Sequence, residues 1–360
     1  MHIPDGFIDG TTALTTGAVS LGGAAYAARR AQEDLGDRAV PVLGVTAAFV
    51  FAAQMVNFPV AGGTSGHLLG GALSAVLLGP WAAVIVMTVV VALQAVVMND
   101  GGITALGANV LNMALVGALG GWMAFRLVRR ILGSSRERFL AAVAGAAWLS
   151  VVLGAAAASL EFGLSGTVPL GVALPAMTSV HMIIGVGEAV VTVAVVGAVL
   201  AARPDLVRAY DGRRPATGGP DRPGLGRRWG FVAAALAVSL AVAVFLSPFA
   251  SSMPDGLERV AEDNGFAELA EDPPIDLAPL ADYSFPGLDG GLGVAAAGLA
   301  GTLLVFTLAF GAGRLAGRAG GAPGAPSTTP NEHGSGHGVL EHRHSGHTHA
   351  QKGRSGDRPD

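Results

Sequence analysis

The sequence contains no cysteine among its 360 residues. Disulfides, thiolate metal sites and cysteine nucleophiles are therefore excluded, and any metal must be bound by nitrogen or oxygen. Charged residues are also scarce, at 13% of the chain against roughly 25% in a typical soluble domain. Hydrophobic residues make up 51% and the mean hydropathy is +0.53. This composition predicts a protein that lies in a lipid membrane.

Two sequence signatures of catalysis are missing as well. The chain has no HExxH pair of histidines, which a membrane metalloenzyme of the zincin type would carry on a helix. It also has no Walker A loop, so ATP hydrolysis, if it drives the protein, must come from partners. A transporter subunit fits these absences best; a metal receptor, a metalloenzyme of another type and a purely structural membrane protein are the alternatives.

Apolar segments predict an all-α polytopic membrane protein, because about 20 apolar residues span a bilayer as a helix. The stretch 39–99 has no charged residue, but Pro59 and the Gly79-Pro80 pair divide it into short pieces. Irregular backbone at such breaks is tolerated only inside a helical bundle. The nine predicted spans are 12–28, 40–56, 68–79, 81–98, 105–125, 139–159, 180–202, 230–247 and 291–313.

The placement of arginine predicts the orientation of the chain in the membrane. Nearly all basic residues before the eighth span follow the first, fifth and seventh spans, and such segments face the cytoplasm. Connections with little positive charge, at 57–67, 99–104, 160–179 and 248–290, are predicted outside. Nine spans with the N-terminus outside satisfy every assignment and leave the C-terminal tail in the cytoplasm of a cell-membrane protein.

Three histidines lie in the apolar part of the chain, at His2, His67 and His181, and the predicted topology puts all three near the outer surface. The Met1 amine, the His2 amide nitrogen and the His2 ring can close a five- and a six-membered ring around one metal ion. A fourth nitrogen from His67 would complete a square that suits Ni(II), Cu(II) or Co(II). Alternatively, His2 has no role and His67 caps a helix or bonds loop carbonyls. The glycines around His67 favour the metal site, because they permit close backbone approach.

Further polar residues are expected to position these loops rather than to bind the metal, since polar groups inside a membrane are costly unless they are paired. Asp5 is expected to bond local backbone amides in the N-terminal turn. His181 and Glu188 lie seven residues apart and share a helix face. The other members of this group are Gln54, Asn57, Ser65, Gln94, Asn99, Asn109 and Asn112.

Four motifs in the first half of the chain resemble one known family. MHIPDGF, FAAQMVNFPVAGGTSGHLLGG, VMNDGGITALGANVLNM and HMIIGVGEA are similar to motifs of the CbiM/NikM substrate-binding (S) components of energy-coupling factor (ECF) transporters for cobalt and nickel. The resemblance covers 1–205. It implies a seven-helix bundle in which the N-terminal segment is inserted, with Met1, His2 and His67 as metal ligands.

The resemblance also implies what the protein does and with which partners. The substrate would be Co²⁺ or Ni²⁺, imported for cobalamin biosynthesis or, alternatively, for nickel enzymes, and no catalytic cofactor is expected. The partners would be a CbiQ/NikQ-like transmembrane coupling protein and a CbiO/NikO-like cytoplasmic ATPase. Beyond these, the chain would contact membrane lipid and no nucleic acid.

The second half carries another resemblance. SSMPDGLERVAEDNGF and DYSFPGL, between two apolar spans, are similar to the PDGLE-type CbiN/NikN small subunit. The predicted domains are 1–205, a cytoplasmic linker at 206–228, a two-helix module at 229–313 and a disordered histidine-rich tail at 320–360. The acidic loop 248–290 is expected either to concentrate cations or simply to be solvated, and the tail either to buffer metal or to have no role.

Overall fold

The computed structural model describes residues 1–34, 40–133, 135–210, 225–275 and 278–319, and these are mostly helical. The predicted tail and most of the predicted linker lie outside the described residues. The helices are α1 (Gly10–Asp34), α2 (Val40–Gln54), α3 (Gly71–Leu78), α4 (Pro80–Leu93), α5 (Leu106–Asn109), α6 (Gly121–Leu132), α7 (Arg136–Ser165), α8 (Leu170–Ala202), α9 (Leu225–Ala241), α10 (Gly256–Asp263) and α11 (Gly290–Ala319). The strands β1 (Phe58–Val60) and β2 (Thr64–Gly66) form one antiparallel hairpin.

Each of the nine predicted apolar segments forms a helix, so the prediction of an all-α polytopic membrane protein is confirmed. Three continue through π-helical turns, at Gln94–Met98 after α4, at Val110–Gly120 between α5 and α6, and at Val242–Leu246 after α9. Among the described residues, six helical segments are long and apolar enough to cross a bilayer, while α1, α2 and α3 fall short in length or hydropathy. The count of nine spans stays a prediction.

Several helix boundaries differ from the sequence prediction; α8, for example, begins at Leu170 rather than at 180, which shortens the predicted outer connection 160–179. Glu161, expected in an outer connection, lies on α7, which continues to Ser165. Its side chain is buried, and Asn112 Nδ2 donates a hydrogen bond to it at 2.7 Å. The amide partner explains how a carboxyl group is accommodated inside the bundle, where an unpaired one would be costly.

The core of the bundle is built from small and branched apolar side chains that let the helices approach closely. Gly121, at the start of α6, faces Ala72 of α3 and Ser150 of α7, and a Cβ at this glycine would come within 2.9 Å of the alanine side chain. Small residues at such crossings are typical of helix packing in membranes.

The short helix α10 begins with a capping box. Asp255 Oδ1 accepts hydrogen bonds from the amides of Leu257 and Glu258, and the Glu258 side chain accepts one from the Asp255 amide. Such reciprocal bonds satisfy amides that a helix N-terminus leaves free. The start of α10 lies against β2, where the Ser65 amide donates to the Pro254 carbonyl at 2.8 Å. The PDGLE motif is therefore docked on the hairpin that precedes His67.

Candidate metal centre

The N-terminal arm, residues 1–9, is inserted among the helices. Its anchor is Ile3, which is fully buried. Asn109 holds both main-chain groups of Ile3, accepting from its amide at 2.7 Å and donating to its carbonyl at 3.0 Å. The amide of Gly102 donates to the same carbonyl at 2.8 Å. These bonds fix the backbone next to His2, so the first two residues have a defined position.

Asp5 completes the anchoring of the arm, but its partners differ from those predicted. Its carboxylate accepts from the amides of Ile103 and Thr104 at 3.1 and 2.7 Å and from the Thr104 hydroxyl. The expectation of local amides in the N-terminal turn was therefore wrong. Asp5 joins the arm to the 99–105 loop because the inserted arm runs alongside that loop, which the sequence spacing does not show.

His67 is positioned by residues that brace its loop. Glu188 on α8 accepts hydrogen bonds from the Leu69 and Gly70 amides at 2.5 and 2.9 Å, and Gln54 donates to the Leu69 carbonyl at 2.7 Å. The Nδ1 of His67 donates to the Leu68 carbonyl at 2.9 Å, since a carbonyl can only accept. In the neutral ring Nε2 is then unprotonated, which is the form that binds a metal.

The structure brings together the three ligands predicted from the sequence. The amine of Met1 lies 3.0 Å from His67 Nε2, and the rings of His2 and His67 are stacked with centroids 5.3 Å apart. The Met1 and His67 side chains are nearly buried, at 4% and 9% exposure. Among the described residues, no three His, Asp or Glu side chains form a metal site.

A carboxylate that sequence reasoning did not assign to the site lies beside the amine. Asp255 Oδ2 is 2.5 Å from the Met1 nitrogen and 3.9 Å from His67 Nε2, while Oδ1 caps α10. Burial alone would raise the pKa of Asp255, but the ammonium of Met1 and the His67 ring hold it well below its ordinary value. Asp255 is therefore an anion that balances positive charge at the candidate centre.

Both candidate ring ligands are neutral at physiological pH. Burial and the neighbouring N-terminal charge lower the pKa of His67 to about 3. Burial also lowers the pKa of His2, against an opposing effect of Asp100. A neutral imidazole keeps one nitrogen lone pair, which is what a metal ion requires.

Of the remaining polar residues predicted from the sequence, His181 lies next to the candidate centre and others form hydrogen bonds in the surrounding loops. His181 lines a small cavity together with Met1, His67 and Asp255, and its Nδ1 donates to the Met177 carbonyl at 2.8 Å. The other predicted positions serve the loops. The Ser65 hydroxyl donates to the Met253 carbonyl, the Asn57 carbonyl accepts from the Ser251 amide, and Asn99 ends the π-helical turn after α4 in a left-handed conformation.

A second set of contacts missed from the sequence surrounds the His2 ring. Its Nε2 lies 3.2 Å from Gln94 Oε1, and its Nδ1 lies 3.1 Å from Asp100 Oδ1. Tyr283, from the acidic loop, contacts both Gln94 and Asp100. Gln94 was expected to be a hydrogen-bonding residue inside the bundle, but no pattern in the sequence links Tyr283 to the N-terminus.

Comparison with known families accounts for most of the chain. The family described as the cobalt uptake substrate-specific transmembrane region, CbiM, matches residues 2–206. The PDGLE domain matches residues 229–318. Both resemblances seen in the sequence motifs are therefore confirmed.

Individual relatives agree with these matches. The chain is 38% identical over 318 residues to a protein of Archaeoglobus fulgidus that bears the name of a fused nickel transport protein, NikMN, covering 88% of this chain and 99% of that protein. It is 38% identical over 223 residues to the fused nickel transport protein NikMN of Rhodobacter capsulatus, covering 58% of this chain and 64% of that protein. It is 37% identical over 174 residues to the cobalt transport protein CbiM of Sorangium cellulosum, covering 46% of this chain and 76% of that protein.

A solved structure of a truncated transition metal transporter is also similar. It is 33% identical, with a TM-score of 0.51, and the match covers 56% of this chain and 99% of that chain. The apolar helices and these transport relatives together indicate a multi-pass membrane protein. The chain therefore belongs to the CbiM family, carries a PDGLE domain in its second half, and is a component of cobalt or nickel uptake.

Proposed function

We propose that the protein captures Co²⁺ or Ni²⁺ from outside the cell at four nitrogens and passes it inward. The four donors are the Met1 amine, the main-chain nitrogen and ring Nδ1 of His2, and Nε2 of His67. Adjacent donors of a square-planar ion lie about 2.9 Å apart when each metal-nitrogen bond is about 2.05 Å. The 3.0 Å between the Met1 amine and His67 Nε2 matches such an edge, and this contact carries the proposal.

The charges of the pocket support this chemistry. Binding a divalent ion in this chelate removes one proton from the ammonium and one from the His2 amide. The pocket therefore exchanges two protons for two positive charges, and the net charge facing Asp255 stays at +1. The carboxylate 2.5 Å from the amine balances the empty and the loaded site equally, so loading does not require Asp255 to leave.

Transport requires partners under this proposal. Since the sequence has no Walker A loop, the driving force would come from a CbiO/NikO-like ATPase, coupled through a CbiQ/NikQ-like membrane protein. ATPase motion would separate the N-terminal arm from the His67 loop and release the ion inward. With these partners co-expressed, a substitution that abolishes ATP hydrolysis should stop uptake and leave binding intact; uptake that continues would contradict the coupling.

The proposed site is tested by adding one alanine ahead of Met1. This keeps every side chain but moves the amine out of the five-membered ring, so affinity for Ni²⁺ and Co²⁺, measured by titration calorimetry, should fall at least 100-fold. His67→Ala should have a similar effect. The control is the same extension behind a protease site whose cleavage leaves Met1 first, which should restore binding. Equal affinity with and without the extension would rule out the chelate.

A further inference from the structure

The acidic loop 248–290 approaches the N-terminal dipeptide from two sides. On one side Asp255 contacts the amine of Met1. On the other, Tyr283 lies behind the ring of His2, in contact with the two residues that surround that ring. The second contact bears on which nitrogen of His2 carries a proton.

The direction of each hydrogen bond behind His2 follows from the chemistry of its partners. The Tyr283 hydroxyl donates its only proton to Asp100 Oδ2 at 2.5 Å, since a carboxylate can only accept. Its oxygen is then an acceptor, and Gln94 Nε2 donates to it at 3.2 Å. Tyr283 thus holds the Gln94 amide with its NH₂ turned away from the histidine.

The other end of the same amide faces the imidazole. Gln94 Oε1 lies 3.2 Å from His2 Nε2 with the geometry of a hydrogen bond, and because a carbonyl oxygen only accepts, this bond requires the proton on Nε2. In the neutral ring Nδ1 is therefore unprotonated. Asp100 Oδ1 lies 3.1 Å from Nδ1 without forming a hydrogen bond to it. Nδ1 is the atom that closes the six-membered chelate ring.

Contacts with the helical bundle hold the acidic loop in a position where Tyr283 lies next to Gln94. The Leu280 amide donates to the Val97 carbonyl at 3.0 Å, which ties the loop to the π-helical turn Gln94–Met98. The Tyr283 ring is partly buried and packs against Phe51, with centroids 6.2 Å apart. Its backbone has a φ of +52°, a left-handed conformation that tyrosine rarely adopts and that the surrounding contacts must stabilise.

We propose that Tyr283 of the PDGLE domain is a positioning residue for the metal site: through Gln94 it selects the tautomer of His2 that presents a bare Nδ1 to the ion. This inference rests on the proposed four-nitrogen site. Without Tyr283 the Gln94 amide can turn over and donate to Nε2, which leaves the proton on Nδ1. Residues that fix a ligand in this way typically contribute 10- to 100-fold to metal affinity.

The test begins with Tyr283→Phe, which removes the hydroxyl and keeps the ring against Phe51. We expect Ni²⁺ affinity to fall about tenfold. The matched control is Tyr210→Phe, the same change at a tyrosine that packs on Phe139 away from the site, which should leave affinity within twofold. An unchanged affinity in Tyr283→Phe would overturn the inference.

A double-mutant cycle separates tautomer selection from a general loosening of the loop. Glutamate at position 94 offers two acceptor oxygens, so it accepts from Nε2 whichever way it turns. In the Gln94→Glu background, Tyr283→Phe should therefore cost less than twofold, and an equal loss in both backgrounds would overturn the inference. If the alanine extension ahead of Met1 also leaves wild-type affinity unchanged, the four-nitrogen site itself is wrong; if the extension abolishes binding and Tyr283→Phe is silent, only the role of Tyr283 is wrong.

Discussion

Asp255 and Met1, 254 positions apart in the chain, form an ion pair of 2.5 Å in which the carboxylate is 15% exposed and the Met1 side chain 4%. The pair joins the PDGLE domain to the first residue of the CbiM domain. The same carboxylate caps the start of α10. One side chain therefore both stabilises a helix of the PDGLE domain and balances the charge of the Met1 amine.

Asp255→Asn removes this charge and the oxygen that accepts from the Met1 amine, but it keeps the cap of α10, since asparagine is as good a helix N-cap as aspartate. With the ammonium or the loaded chelate left unbalanced, the free energy of unfolding should fall by about 3 kcal/mol both with and without Ni²⁺. Because the two states lose equally, metal affinity should change less than threefold. Thermal unfolding and calorimetry would measure the two effects.

Asp263→Asn is the control, a carboxylate on the same helix that pairs with Arg259 at the surface. It should leave both quantities nearly unchanged, because exposed ion pairs contribute little. If Asp255→Asn destabilised the metal-bound protein much more than the metal-free protein, metal affinity would fall. That result would mean that the charge facing Asp255 changes when the metal binds.

Gly102→Ala should expel the N-terminal arm. An added Cβ would clash with the Asp5 amide and lie 2.7 Å from the Pro4 carbonyl carbon, and the clash involves backbone that cannot move independently of the arm. We expect metal affinity to fall at least tenfold and stability by about 2 kcal/mol, with the helix content by circular dichroism unchanged. Gly10→Ala, where nothing lies within 4 Å of the added carbon, should behave like the wild type; normal binding by Gly102→Ala would show that docking of the arm is not needed.

The stability of the metal-free protein should depend on pH through His67. In the unfolded chain this ring takes up a proton near pH 6.5, but in the folded protein only near pH 3. The unfolded state therefore binds more protons between these values. The free energy of unfolding therefore decreases as the pH falls below 6.5, by up to about 1.4 kcal/mol per pH unit.

The comparison that checks this is His67→Gln, which removes the titrating group. Unfolding midpoints of the metal-free proteins at pH 5, 6, 7 and 8 should converge for the wild type and the variant as the pH falls, because only the wild type loses the His67 contribution. Curves that stay parallel would mean that His67 is not held neutral by the fold.

The sequence was sufficient to predict that Met1, His2 and His67 lie together, because the arginine distribution placed them on one side of the membrane and the motifs resembled a known family. It was also sufficient for the helical segments. Glu188 was assigned a supporting or packing role from the family resemblance, and its carboxylate accepts hydrogen bonds from the amides of Leu69 and Gly70.

The contacts of the acidic loop were not predictable in the same way. The pattern Asp255-x-x-Glu258 marks a helix start, which accounts for one carboxylate oxygen of Asp255. The direction of the other oxygen depends on how the helix docks against the hairpin, and no local pattern encodes that. Tyr283 likewise reaches Gln94 only because the loop folds back over the turn after α4.

The contacts of the two Asp255 oxygens matter for proteins in which the two domains are separate polypeptides. One oxygen belongs to the local structure of the PDGLE domain and the other to the terminus of the CbiM domain. If the two domains were separate chains, the first residue of one would be an interface residue of the other, and blocking that terminus would weaken their association. Joining them in one polypeptide replaces a concentration-dependent encounter with an intramolecular one.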